Sequence, residues 1–223
     1  MKELISNAAF KEKDYEKSLV ETFLRMDELL MSPAGKKELN EIMAEEGGSD
    51  DSQAGCTANV ALIAGRTLYV ANAGDSRSVL SSKGEAVEMS LDHKPDDDKE
   101  KTRVEKGGGY ISDGRINGNL NLSRAIGDLD YKKNSDLGVE DQLIIAVPDV
   151  KKRTLTDDDE FIVIGCDGIW EVKSNQAIID YVGERIKKGT ALTKIAEDLL
   201  DTLVAPDTYS KFLIILQENN LYF

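Results

Sequence analysis

An α+β layered sandwich is the fold class predicted by this 223-residue sequence. Amphipathic helical stretches stand at both ends, and short β-rich segments joined by glycine, asparagine and aspartate turns fill the middle. No repeat or linker divides the chain, so one domain over residues 1–217 is expected, followed by a tail at 218–223.

Taken in order, residues 15–31 place Leu19, Phe23, Met26 and Leu30 at helical spacing, which predicts an amphipathic helix over a core. Ser32-Pro33 ends it, a shorter helix is expected at 35–44, and the acidic, glycine-rich stretch 45–52 predicts a mobile loop. Residues 59–64 and 67–72 are rich in Val, Ala, Leu and Tyr and flank Gly65-Arg66, which predicts a tight hairpin. The turn Gly74-Asp75-Ser76-Arg77 leads into expected strands at 78–82 and 87–91, an antiparallel meander. A solvated helix is expected over 96–106, stopped by three glycines, and short strands over 110–121. Residues 132–142 are polar and predict an irregular surface loop; 143–147 and 150–154 are short β segments around Pro148. One-sided apolar stripes predict two helices: Ile178, Ile179, Val182 and Ile186 in 175–187, and Leu192, Ile195, Leu199 and Leu203 in 191–204. They should pack on the sheet as an antiparallel pair, with a last strand at 212–216 closing the core.

Charge and cysteine content narrow the function. With 28 basic and 42 acidic residues the net charge is −14, which argues against nucleic-acid or anionic-membrane binding. No apolar run reaches the roughly 18 residues that span a bilayer. Cys56 and Cys166 lack zinc or disulfide spacing, so a soluble protein in a reducing, intracellular compartment, cytoplasmic or nuclear, is expected. The chain has one histidine, His93, which leaves carboxylates and metals to carry most of any catalysis.

The stretch 161–171, FIVIGCDGIWE, is an apolar β-branched run that stops at an Asp-Gly pair. A strand of that kind presents a carboxylate, Asp167, at its tip, where it suits a cation; an ordinary strand followed by a turn has the same pattern.

The motifs GCTANVALI at 55–63, YVANAGDSR at 69–77, DHKP at 92–95, INGNLNLSRAIGD at 116–128 and GCDGIWE at 165–171 resemble, in order and spacing, those of the metal-dependent protein serine/threonine phosphatases of the protein phosphatase 2C type. The likeness runs from the early helix to APDT at 205–208. It implies a four-layer αββα sandwich of two antiparallel sheets flanked by helix pairs. It also implies a cleft with two Mg2+ or Mn2+ ions whose bridging water attacks phosphoserine or phosphothreonine, and a third, weaker ion. By resemblance Asp167 is the strand-end metal ligand, and Asp92 belongs to the weaker ion with Asp167 and Glu171, where the family usually has aspartate. Asp75 and Arg77 would hold a turn beside the cleft, and Arg124 and Asp128 would pair with groups of a variable flap and shape substrate access. His93 is not the family's catalytic histidine and is read as structural.

The chain also departs from the family. An RxxMED-like segment and a DGHGG segment, which supply a phosphate-binding arginine, further metal ligands and the acid histidine, are not found before the first helix. The run APDTYSKFLIIL lacks the DNM aspartate. No catalytic acid is therefore assigned, and the fold is expected without its first strands, leaving sheet edges open to association. Two functional classes follow: a phosphatase impaired as this chain, or a pseudophosphatase that binds a protein partner. The final QENNLYF resembles a viral-protease tag and carries no functional argument.

Overall fold

The computed structural model describes residues 1–46, 54–203 and 214–218. Residues 47–52 of the expected acidic loop, the APDT motif, positions 212–213 and the last five residues lie outside them.

Helices come first: α1 (Lys2–Ser6), α2 (Ala8–Lys11), α3 (Tyr15–Met31) and α4 (Pro33–Glu46). The sequence predicts neither α1 nor α2. Asn7 caps α2 through its side-chain oxygen and donates to Glu21 of α3 at 2.9 Å. Asp14 caps α3. Ser32-Pro33 ends α3 and also starts α4 two residues earlier than expected: proline is tolerated in the first turn, and the Ser32 hydroxyl accepts the Gly35 N–H at 3.0 Å. Leu19 and Phe23 are buried as predicted, but Met26 is 36% exposed and Asp27 takes the inward position beside it.

The strands follow as β1 (Gly55–Cys56), β2 (Ala58–Ala64), β3 (Thr67–Ala73), β4 (Arg77–Ser82) and β5 (Glu85–Glu88). After helix α5 (Asp98–Lys106) come β6 (Ile111–Ser112), β7 (Arg115–Ile116), β8 (Ile126–Gly127) and a 3-10 turn at Leu129–Lys132. Then β9 (Asp149–Thr154), β10 (Asp159–Gly165), α6 (Asp167–Trp170), α7 (Asn175–Lys187), α8 (Leu192–Leu203) and β11 (Ile214–Glu218) complete the order. Residues 143–147 make only an isolated bridge, Arg124 to Ile145, in place of the expected strand. The fourth strand of the meander stops at Glu88, because Met89 is drawn into the core and the Ser90 hydroxyl accepts the Ser78 N–H at 2.9 Å.

The chain forms two compact units. The first comprises Met1–Ala58, Ala71–Gly74 and Asp92–Val150. It holds α1 to α5, the two-stranded ribbons β1-β8 and β6-β7, and a small core of Val104, Ile116, Ala125 and Ile144. Helix α5 is not the solvated helix its composition predicts: Glu100 and Arg103 are 2% and 9% exposed.

The second unit carries the larger sheets, a four-stranded one ordered β11-β10-β4-β5 with antiparallel pairings and a three-stranded one ordered β2-β3-β9. Strand periodicity builds its layers. Val79, Phe161 and Val163 point to one face and join Ile178, Ile179, Val182, Ile195 and Leu199 of α7 and α8 in one cluster. Leu80 and Ile162 point to the other face and pack with Leu68, Val70, Met89 and Leu155. Helix pair, sheet and sheet thus stack within this unit, as the α+β class requires. Each such buried aliphatic or aromatic side chain contributes about 1.5–3 kcal/mol.

Candidate functional site

Strand β10 lies between β4 and β11, so its register is held on both sides: Ile162 opposes Leu80 and Gln217, and Gly165 opposes Arg77 and Ile214. The chain does not make the tight Asp-Gly turn that is one reading of this stretch. Cys166 instead takes the N-cap position of α6, and Asp167 is its first residue. The reason is apolar: winding one helical turn buries Ile169 completely and leaves Trp170 6% exposed. The Trp170 Nε1–H donates to the Gly165 carbonyl at 2.9 Å, tying the turn back to the strand. Asp167 uses one carboxylate oxygen to accept the Gly168 N–H at 2.8 Å. Glu171, one turn later, donates its backbone N–H to the Asp167 carbonyl, and the residue is exposed. Arg77 meets this turn from β4, whereas Asp75 is buried at 4% exposure.

The DHKP and SRAIGD residues meet in the first unit. The Gly74 N–H donates to His93 Nδ1 at 3.2 Å, which makes Nδ1 an acceptor and places the ring proton on Nε2. That nitrogen lies 3.2 Å from Asp149 Oδ2 and donates to it. Asp149 Oδ1 accepts from Arg124 at 2.9 Å, and Arg124 also donates to the Val147 carbonyl and to Glu100 at 2.6 Å. Glu100 in turn accepts from Arg103 at 2.6 Å. Burial alone would raise the Glu100 carboxyl, but the Arg124 hydrogen bond and the charges of Arg103 and Arg124 bring it down to about 2. Asp149 is held well below the usual aspartate range, first by the His93 hydrogen bond and then, against burial, by Arg124. Both ring nitrogens of His93 are thus engaged within the fold, and the residue is 4% exposed. Among the described residues the hydrogen bonds of Arg124 go to Glu100 of α5, Asp149 of β9 and the Val147 carbonyl, and not to residues 132–142.

Arg103 is the group that reaches the loop. Its Nε donates to the Gln142 carbonyl at 3.2 Å. The buried Gln142 amide then gathers the loop, donating to the carbonyls of Asn134, Leu137 and Gly138 and accepting the Asn134 N–H. Loop 132–142 is irregular as predicted, with an ordered centre the sequence does not announce.

Asp128 adopts a left-handed backbone (φ 48°) after Gly127 (φ 83°) and is 6% exposed. Among the described residues no hydrogen bond reaches its carboxylate, which burial pushes up, opposed by Lys132 and reinforced by Asp27. Asp27 instead accepts the Gly127 N–H at 2.8 Å and Lys132 Nζ at 2.5 Å, which explains the inward turn of α3. Gly55 lies against Asp128, and a Cβ at residue 55 would fall 2.1 Å from its Oδ2.

The predicted metal ligands are distributed over both units, Asp92 in the first and Asp167 and Glu171 in the second. Carboxylate oxygen suits Mg2+ or Mn2+. Among the described residues, however, no three His, Cys, Asp or Glu side chains converge to hold an ion. These residues on their own do not fit a two-metal centre, which needs several carboxylates around ions about 3.5–4 Å apart. No helix among them is long and apolar enough to cross a membrane.

Residues 1–212 match the family model for protein phosphatase 2C. A curated relative, "Probable protein phosphatase 2C 3" of Paramecium tetraurelia, is 57% identical over 210 residues, covering 92% of this chain and 69% of the relative. Among solved structures, a phosphatase from a pathogenic strain of Toxoplasma gondii is 32% identical with a TM-score of 0.60, over 68% of this chain and 49% of that one. The serine-threonine phosphatase 2C of Toxoplasma gondii, 18% identical, shares the fold with a TM-score of 0.73 over 96% of this chain and 76% of that one.

Proposed function

The chain belongs to the protein phosphatase 2C family, and from that premise we propose that its chemistry is the hydrolysis of phosphoserine and phosphothreonine in proteins, with Asp167 as the metal-facing carboxylate. The observation that carries this reading is the placement of Asp167: the first residue of the helical turn that follows a central strand, held by the β10 ladder and by the Trp170 to Gly165 hydrogen bond. Divalent cations, Mg2+ or Mn2+, supply in this chemistry an activated water and neutralisation of the phosphate. Asp92 and Glu171 are proposed for the weaker third ion. The remaining ligands of the main pair are not among the described residues, so the chain in hand should turn over little by itself.

The test is an assay of the purified chain on a phosphothreonine peptide with excess Mn2+. A rate near background is expected. A metal-dependent rate that disappears in Asp167→Ala would overturn the expectation of low turnover while supporting the site. A second reading, a phosphoprotein-binding module without catalysis, is favoured by the lack of a metal-holding cluster among the described residues. Phosphopeptide capture that persists in EDTA and in Asp167→Ala distinguishes it from the first.

A further inference from the structure

We propose that Arg77 is a positioning residue that clamps the turn carrying Asp167 and Glu171, by stacking its guanidinium on Trp170 and bonding Asn175 at the far end of the same turn. The β4–β10 register brings it there, because Arg77 is the residue opposite Gly165, the last position of the strand before the turn. The guanidinium carbon lies 5.6 Å from the Trp170 ring centroid, within cation–π range. Its Nη1 donates to Asn175 Oδ1 at 2.7 Å. Asn175 is the first residue of α7, directly after the Ser174 cap, so one planar cation touches the turn at residue 170 and at residue 175. Lysine has neither the planar face nor the fork needed to do both.

Each end of the clamp is anchored independently. Trp170 is packed with Ile169 in the helix-covered core and bonded to the Gly165 carbonyl. Asn175 donates its amide to Glu88 Oε1 on β5 at 2.8 Å. Between them the segment 171–174 is largely exposed, with Val172 at 58%. Within it the Glu171 N–H donates to the Asp167 carbonyl at 2.9 Å and the Lys173 N–H to the Ile169 carbonyl at 3.3 Å, so holding Trp170 and Asn175 also holds the backbone that carries Asp167 and Glu171. Arg77 also lines a surface concavity of about 760 Å3 with Glu88, Ser174 and Asn175, and its guanidinium covers the indole face on which it stacks. The consequence for hydrolysis rests on the reading of Asp167 given above; the clamp does not.

The test uses the whole chain and needs neither metal nor turnover, so its failure is separate from any failure of the phosphatase reading. Trp170 is the chain's single tryptophan and reports on its own environment by fluorescence. In Arg77→Met, which keeps the side-chain length, the emission should shift to the red and acrylamide quenching should rise. Amide exchange at residues 168–173 should speed up about ten-fold, the size of effect expected from losing one charge-assisted hydrogen bond and one cation–π contact. Exchange in α8 and in the middle of β10 should not change. Asn175→Ala, at a partly exposed helix start, removes one contact and should give a smaller acceleration in the same amides. It also keeps the question open to measurement if Arg77→Met does not fold. Arg77→Lys should fail to restore protection. Unchanged exchange at 168–173 in both Arg77→Met and Asn175→Ala, or an equal acceleration throughout the second unit, would overturn the proposal.

Discussion

Around Asp167 the groups that hold the backbone are Ile169, Trp170 and the ladder of β10, all apolar or main-chain apart from the arginine on the indole. Around Arg124 the side chains are those of Glu100, Arg103, Asp149 and His93, every one of them ionisable, with the Val147 carbonyl as a main-chain partner. Both regions carry motifs of the same family, yet one is held by burial and the other by charge. The difference teaches that a buried arginine in a motif is informative only once its carboxylates are located. It also separates the two regions experimentally, since apolar packing carries no titrating group whereas buried ion pairs are lost when their carboxylates are protonated.

The largest expected effect is on the charged region. Glu100→Ala leaves two buried guanidinium groups without their shared carboxylate and should cost about 3–5 kcal/mol in chemical denaturation. Ile178→Ala in the packed region should cost about 2–4 kcal/mol by loss of transfer energy and creation of a cavity. Acid sharpens the contrast. The Glu100 carboxyl is depressed in the fold from 4.5 to about 2, so its contribution is fully present above the usual glutamate value and is lost as pH falls through that window. Asp149 acts in the same direction. Amides of α5 should therefore lose protection between about pH 4.5 and 2 before those of α7 do, and Glu100→Gln should remove that difference. The smallest effect on stability is expected at Asp167→Asn, below about 1 kcal/mol, because an amide oxygen still accepts the Gly168 N–H. The same variant should weaken Mn2+ binding by isothermal titration, with EDTA restoring the metal-free baseline in both proteins.

The packed region was the more legible from sequence. The stripes Ile178, Ile179, Val182 and Ile195, Leu199, Leu203 end in the core where their spacing puts them, because hydrophobic period and burial are the same signal. The Asp-Gly pair misled locally: turn propensity favours a tight turn there, but burial of Ile169 and Trp170 outweighs it and winds a helical turn. The charged region was hidden. In DKEKTRVEK the pair Glu100 and Arg103 looks like any solvated i,i+3 pair, since the partners that bury it lie about twenty or more positions away at Ser123, Arg124 and Gln142. The same holds for Asp27 and Lys132, and for Gln142, whose importance comes from carbonyls that composition cannot list. Met26 was assigned to the core because the apolar stripe alone decides a helix face in sequence, whereas in the fold a buried ion pair rotates it.

The contact of Gly55 with Asp128 carries a hereditary consequence. Any side chain at residue 55 would occupy the space of a carboxylate that the left-handed backbone at Asp128 presses into β1. The bare α-carbon of the GCTAN motif and the acid of the SRAIGD motif are thus coupled positions, each setting the side chain the other tolerates. Gly55→Ala should be deleterious alone and recovered by a second-site change that shortens Asp128, such as Asp128→Gly, so a suppressor screen starting from residue 55 should return to residue 128.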